Sequence, residues 1–256
     1  MKNPFGSLLT AMVTPFKENM EINYSRAVEL AEYLLANDSD GLVVTGTTGE
    51  SPTLSIEEKI ELYRILSDKF GKEVIIAGTG GNNTKEVVQL TREAERCGVG
   101  GIMLVTPYYN KPPQEGLYHH FKAVAESVAL PIILYNVPGR TGVNLDVETV
   151  LRLAQIDNIV ALKDASGNTD QASCIIEKAP TEFTVYCGDD SLIIPFLRVG
   201  SSGVISVASH LVGPRIKEII GKFHHDPDKA VRIHECLLPL FKGLFMTTNP
   251  IVIKEA

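Results

Sequence analysis

Short apolar runs that return roughly every 25 to 30 residues, one βα unit apart, restrict this chain more than any other feature. The runs occupy residues 8–13, 41–45, 74–77, 101–105, 132–135, 159–162, 183–187 and 203–207. Each is continuous and rich in Val, Ile and Leu, whereas a strand with one wet face would alternate with polar residues. The pattern predicts parallel strands buried on both faces. Amphipathic stretches fill the gaps and predict helices at 24–36, 83–96, 114–127, 146–154, 168–178, 190–199 and 214–224. One more begins at Ser55, where Ser55 and Glu58 have capping-box spacing ahead of Ile60, Leu62, Ile65 and Leu66.

Eight strands alternating with eight helices predict an α/β fold, a closed (β/α)8 TIM barrel rather than an open doubly wound sheet. A doubly wound sheet would carry a glycine-rich phosphate fingerprint after its first strand, and TAMVTPF has none. A length of 256 residues suits one such barrel. The barrel is expected over residues 1–224. Residues 225–256 read as a short C-terminal helical segment, with HHDPDKAVRIHECLLPLFKGLF interrupted at Pro239.

A net charge of −7 argues against a nucleic-acid or membrane-surface partner. It leaves small anionic substrates open, because local cations set the field inside a pocket. Cys97, Cys174, Cys187 and Cys236 are widely spaced and form no C-x-x-C pair, which reads as free thiols in a reducing compartment. The segment MKNPFGSLLTAMVTPF lacks the pattern of a secretory signal. No run approaches the roughly 18 apolar residues of a membrane span, so a cytoplasmic location is expected.

Barrel chemistry sits at the C-terminal ends of the strands. That rule selects Thr47 and Thr48, Gly78 and Thr79, Tyr108 and Tyr109, Tyr135, Lys163, Gly188 and Asp189, and Ile205 and Ser206. Lys163 is the informative one, since IVALK carries a lysine straight out of an apolar strand while the other lysines lie on helix faces, in loops or near the termini. Desolvation there would supply the neutral amine that attacks a carbonyl. The competing reading is a lysine that snorkels to the rim or pairs with Asp164. Tyr135, Tyr109 and Thr47 or Thr48 are hydroxyls able to shuttle protons, although any one alone reads as an ordinary rim tyrosine or β-forming threonine. Backbone N–H groups of GTTGES and the guanidinium of Arg140 in YNVPGRTG suit a carboxylate; for Arg140 a surface salt bridge competes. His119 and His120 would splay apart on a helix, and His224, His225 and His234 lie in the late polar segment. No metal and no cofactor are expected.

Taken together, GTTGESPTLS, TPYYNKPPQEGLYHHF, LYNVPGRTG, ALKDASGN, GDD and GVISV resemble the dihydrodipicolinate synthase family, in order and along essentially the whole chain. The resemblance implies that Lys163 forms an imine with pyruvate, whose enamine condenses with aspartate semialdehyde on the route to diaminopimelate and lysine. It implies a proton relay of Tyr135, Thr47 and Tyr109, with Tyr109 reaching into a neighbouring subunit's site in a dimer or tetramer. Thr48, Gly188 and Ile205 match the pyruvate pocket, and Arg140 matches the arginine that binds the semialdehyde carboxylate. Ser51, Asn82, Glu86 and Tyr108 match a feedback site for lysine in many members. Ile56 and Lys59 replace histidines often found there, and a cation at 59 implies weak or absent lysine inhibition. TTNP departs from the usual acidic residue before NP, and NPIVIKEA stops where the family continues, so the helical segment is expected to be incomplete, with a dimer or lowered stability as the result. Two other readings stay open. One is a lyase of the N-acetylneuraminate or keto-deoxy-sugar-acid kind that releases pyruvate; the other is an inactive barrel kept as a binding protein.

Overall fold

The computed structural model describes residues 5–256. Residues 1–4, with which the expected barrel unit and the segment read for a signal both begin, lie outside that description. Eight parallel strands close into a barrel in chain order, β1 Leu8–Ala11, β2 Gly41–Val44, β3 Ile75–Gly78, β4 Gly101–Val105, β5 Ile132–Asn136, β6 Ile159–Asp164, β7 Thr184–Cys187 and β8 Gly203–Ser206. The first and last strands pair through Leu9 and Ile205. Between them run α1 Tyr24–Ala36, α2 Ile56–Phe70, α3 Thr84–Arg96, α4 Gln114–Ala125, α5 Pro138–Thr141, α6 Val147–Leu153, α7 Thr169–Lys178, α8 Ile193–Arg198 and α9 Ser209–Phe223. The chain finishes with α10 Pro227–Gly243 and α11 Ile251–Glu255.

Alternate residues of each strand divide the core in two. Leu9, Val43, Ile76, Met103, Ile133 and Ala161 fill the barrel interior, joined by Phe5 and Tyr186. Tyr186 donates from its hydroxyl to the Gly6 carbonyl at 2.8 Å. The other face of the strands packs against the helices, which is why the apolar runs are continuous. The interior is a packed core, so only its C-terminal end is open to ligands. The capping box of α2 forms as its sequence predicts: Ser55 accepts from the Glu58 N–H at 3.1 Å, and Glu58 accepts from the Ser55 N–H at 2.8 Å.

Three local expectations are corrected. β6 runs two residues past the apolar run, because Lys163 and Asp164 pair with Tyr135 and Asn136 on one side and with Tyr186 and Cys187 on the other. The helix expected over 190–199 opens as a tight turn at Asp190–Leu192, since the Asp190 carboxylate is engaged by the end of β8. Finally, α10 continues through Pro239 instead of breaking there. Pro239 is exposed, so the carbonyl it leaves unpaired faces water, while Ile233 and Phe241 stay buried on the opposite side. Ile233, Phe241, Leu244 and Ile253 share one apolar cluster with Leu8, Val204 and Val207 of the strand region, so the last helices are built into the barrel wall.

Candidate active site

At the end of β6, Lys163 is only 4% exposed, and its ammonium lies 4.3 Å from the centroid of the Tyr135 ring. Burial pulls the amine down to about 8, and the Asp190 carboxylate opposes that shift only in part. At pH 7 about a tenth of the amine is therefore free, against well under a thousandth for an ordinary lysine. Tyr135, paired with Lys163 across β5 and β6, is buried too; burial raises its phenol pKa, with the Arg140 charge and a hydrogen bond with Thr47 working against it. The Tyr135 carbonyl accepts from both the Thr106 N–H and the Thr106 hydroxyl at 2.9 Å, which fixes the strand ends side by side.

Thr47 and Thr48 lie on the turn that follows β2. Thr45 begins it in a left-handed conformation, φ +55°, held where its hydroxyl and that of buried Tyr63 meet 2.5 Å apart and share the Gly78 carbonyl. A side chain at Gly78 would put its Cβ 2.7 Å from the Thr45 carbonyl oxygen, so only glycine lets β3 pass this closely beneath the turn. Thr14 closes it from the other side by donating to Gly49 at 2.7 Å.

An open cavity of about 320 Å³ sits above these groups, with Thr47, Tyr135, Arg140, Ser51, Tyr108 and Tyr109 among its walls. Lys163, Thr48, Gly188 and Ile205 do not form its walls. The amine lies against the Tyr135 ring, and Thr48 and Ile205 are buried at 3% and 1% exposure. Gly188 donates its N–H to the Asp164 carbonyl at 2.7 Å, and a Cβ there would lie 2.7 Å from that of Ala165. Arg140 is carried by the four-residue helix α5, which ends on Gly142 at φ +75°, and it donates to the Asn249 carbonyl at 3.0 Å. The structure thus brings Lys163, Tyr135 and Thr47 together. Tyr109 is not brought to them: it stands at the mouth, 89% exposed, with φ +71°.

Around the mouth, Asn82 donates to the Tyr108 carbonyl at 3.2 Å, while Glu86 accepts from Asn83 at 2.8 Å. Ile56 is exposed, and burial lowers the pKa of half-buried Lys59. His119 and His120 do splay apart: His119 is exposed beside Glu115, and His120 is buried 2.9 Å from the Thr84 hydroxyl.

Two residues of the site were not read from the sequence. Asp190, 2% exposed, bonds the Ser206 hydroxyl at 2.5 Å and accepts from the N–H groups of Val207 and Ala208 at 3.0 and 2.9 Å, pinning the end of β8 just beyond Ile205. Asp190 lies three residues past the end of β7, and its partners are 16 to 18 residues on. Asn249 enters the sequence reading only within TTNP, with no role attached to it.

A sequence profile of the dihydrodipicolinate synthetase family matches residues 4–256. The chain belongs to that family. It is 56% identical over 254 residues to a 4-hydroxy-tetrahydrodipicolinate synthase from Desulforudis audaxviator, covering 98% of this chain and 86% of that one. Among solved structures it resembles a dihydrodipicolinate synthase from Bacillus anthracis, with 50% identity, a TM-score of 0.94 and coverage of 96% and 85%. It also resembles the synthase of Cyanidioschyzon merolae solved with lysine bound, at 46% identity and a TM-score of 0.96 over 98% and 86% of the two chains. Among the described residues no helix is long and apolar enough to cross a membrane.

Proposed function

We infer that this enzyme of the family condenses pyruvate with L-aspartate 4-semialdehyde to 4-hydroxy-tetrahydrodipicolinate, the committed chemistry of diaminopimelate and lysine synthesis, through an imine on Lys163. The observation that carries the reading is the buried Lys163 amine, pulled down to about 8 and packed on the Tyr135 ring. The free amine attacks C2 of pyruvate, and the carbinolamine loses its oxygen as water with a proton passed through Tyr135 and Thr47. A methyl proton leaves the imine to give the enamine, whose C3 attacks the aldehyde carbon. The amine of the semialdehyde then adds to C2 and expels the lysine, so one water is lost overall and the enzyme is regenerated. Arg140 at the cavity wall suits the semialdehyde carboxylate. Thr48, Gly188 and Ile205, outside that wall, are proposed to take the pyruvate end through their match to the family's pocket.

A second copy of the chain is the proposed partner. Tyr109, exposed and outside hydrogen-bonding contact with its own Thr47 and Tyr135, supplies its hydroxyl to the relay of the neighbour. The cytoplasm is the proposed location, supported by four unpaired cysteines. Lysine is proposed to bind weakly at Ser51, Asn82, Glu86 and Tyr108, because Lys59 adds a like charge; half-inhibition is expected only at millimolar lysine, and a micromolar value in a steady-state assay would refute this.

The reaction itself is tested by substrate profiling. Consumption of pyruvate together with aspartate semialdehyde is expected. Release of pyruvate from keto-deoxy-sugar acids, with no condensation, would overturn the reading.

A further inference from the structure

The loop ahead of α11 returns across the barrel mouth and touches both halves of the site through one residue. Asn249, 6% exposed, donates from Nδ2 to the Thr48 hydroxyl oxygen at 2.9 Å. Its main-chain carbonyl accepts from Nη2 of Arg140 at 3.0 Å. The Oδ1 of the same amide is buried without a partner among the described residues, so Thr48 is the side chain this amide serves.

The direction of the first bond matters. A threonine hydroxyl has one proton and two lone pairs, and it donates or accepts according to its neighbours. With an amide N–H on one lone pair, and with no recorded acceptor for its own proton among the described residues, Thr48 is left to donate to whatever enters beside it. A carboxylate accepts only, so it needs a donor with this polarity. An acceptor at position 249 would take the Thr48 proton for itself and present lone pairs to the substrate.

We propose that Asn249 is a positioning residue that sets the polarity of the keto-acid pocket: its amide makes Thr48 a donor to the substrate carboxylate, while its carbonyl tethers Arg140 on the aldehyde side. The proposal rests on the reading of Thr48 as a pyruvate contact. Because the tether to Arg140 is made by the main chain, a change of side chain at 249 separates the two roles.

The test is a double-mutant cycle on the full chain with steady-state kinetics in both substrates. N249D reverses the polarity while keeping the shape, and it is expected to raise the KM for pyruvate about tenfold, or 1.4 kcal/mol, with the KM for the semialdehyde and kcat within about twofold. N249A, which adds no charge, is expected to raise it about threefold and covers the case in which N249D folds poorly. In a T48V background neither change should add anything. Effects of N249D and N249A that persist in T48V, or equal losses in kcat and both KM values tracking a lower Tm, would overturn the proposal. If T48V alone leaves the pyruvate KM unchanged, the assignment of Thr48 falls first and takes the proposal with it. If T48V raises that KM while both Asn249 variants do not, only the proposal falls.

Discussion

The floor and the mouth of the site are built on different principles. At the floor, Lys163 and Tyr135 project from adjacent paired strands, are almost wholly buried, and owe their positions to the ladder that closes the barrel. At the mouth, Arg140 rides a four-residue helix and donates to the Asn249 carbonyl, 109 residues away, while the Tyr109 side chain makes no hydrogen bond among the described residues. The floor sets an amine pKa and a proton route, which need fixed geometry and low dielectric. The mouth selects the second substrate, which needs reach more than rigidity. Changes at the floor should therefore act on kcat, and changes at Arg140 on KM, while Tyr109 serves the floor of the neighbouring site.

The largest effect is expected at Lys163. Lys163→Met removes the nucleophile and should lower kcat by at least about 1,000-fold. It should also stabilise the fold. With the folded-state pKa pulled from 10.5 to about 8, the unfolded chain binds more protons between those values, so stability rises as pH climbs through that window. Below pH 8 both states are charged, and burying the ammonium costs on the order of 3 kcal/mol. Chemical denaturation should show Lys163→Met more stable than the parent at pH 7 and the advantage shrinking by pH 10; a constant or negative difference would mean the ammonium is better solvated than its burial implies.

Next is Tyr135→Phe, which keeps the ring under the amine and removes only the hydroxyl. A loss in kcat of about 100-fold with little change in either KM is expected, since general acid–base transfer contributes on that scale. A loss confined to KM would move Tyr135 from the floor to the binding groups. At the mouth, Arg140→Ala should raise the semialdehyde KM about tenfold and leave imine formation with pyruvate alone within about twofold. Slower imine formation would erase the division between the two regions. The smallest effect is expected for Tyr63→Phe beneath the Thr47 turn, where losing one buried hydroxyl should cost about 1 to 2 kcal/mol in denaturant unfolding and only a few-fold in kcat. A loss as large as that of Tyr135→Phe would place the turn itself in the proton route.

The same division explains what could be read in advance. The barrel follows from continuous apolar runs, which need no distant information. Lys163 stood out because a lysine at the end of such a run has to be desolvated, and the capping box of α2 is a three-residue signal. Proline punctuation misled at Pro239, where solvent satisfies the carbonyl that the ring strands. The α5 turn is too short for any periodicity to register. Asp190 and Asn249 act through partners that only the closed barrel brings near, Thr48 being 201 residues from Asn249. Residues that act through such distant partners have no local pattern that gives their role.

The central claim is that the buried amine of Lys163 is the imine-forming group. Borohydride reduction in the presence of pyruvate, followed by peptide mass mapping over pH 6.5 to 8.5, tests it directly. The account predicts one pyruvate adduct, on Lys163, formed at an initial rate that rises about tenfold per unit at the acid end and levels off near pH 8. An adduct on another lysine, or none in the folded protein, would contradict it.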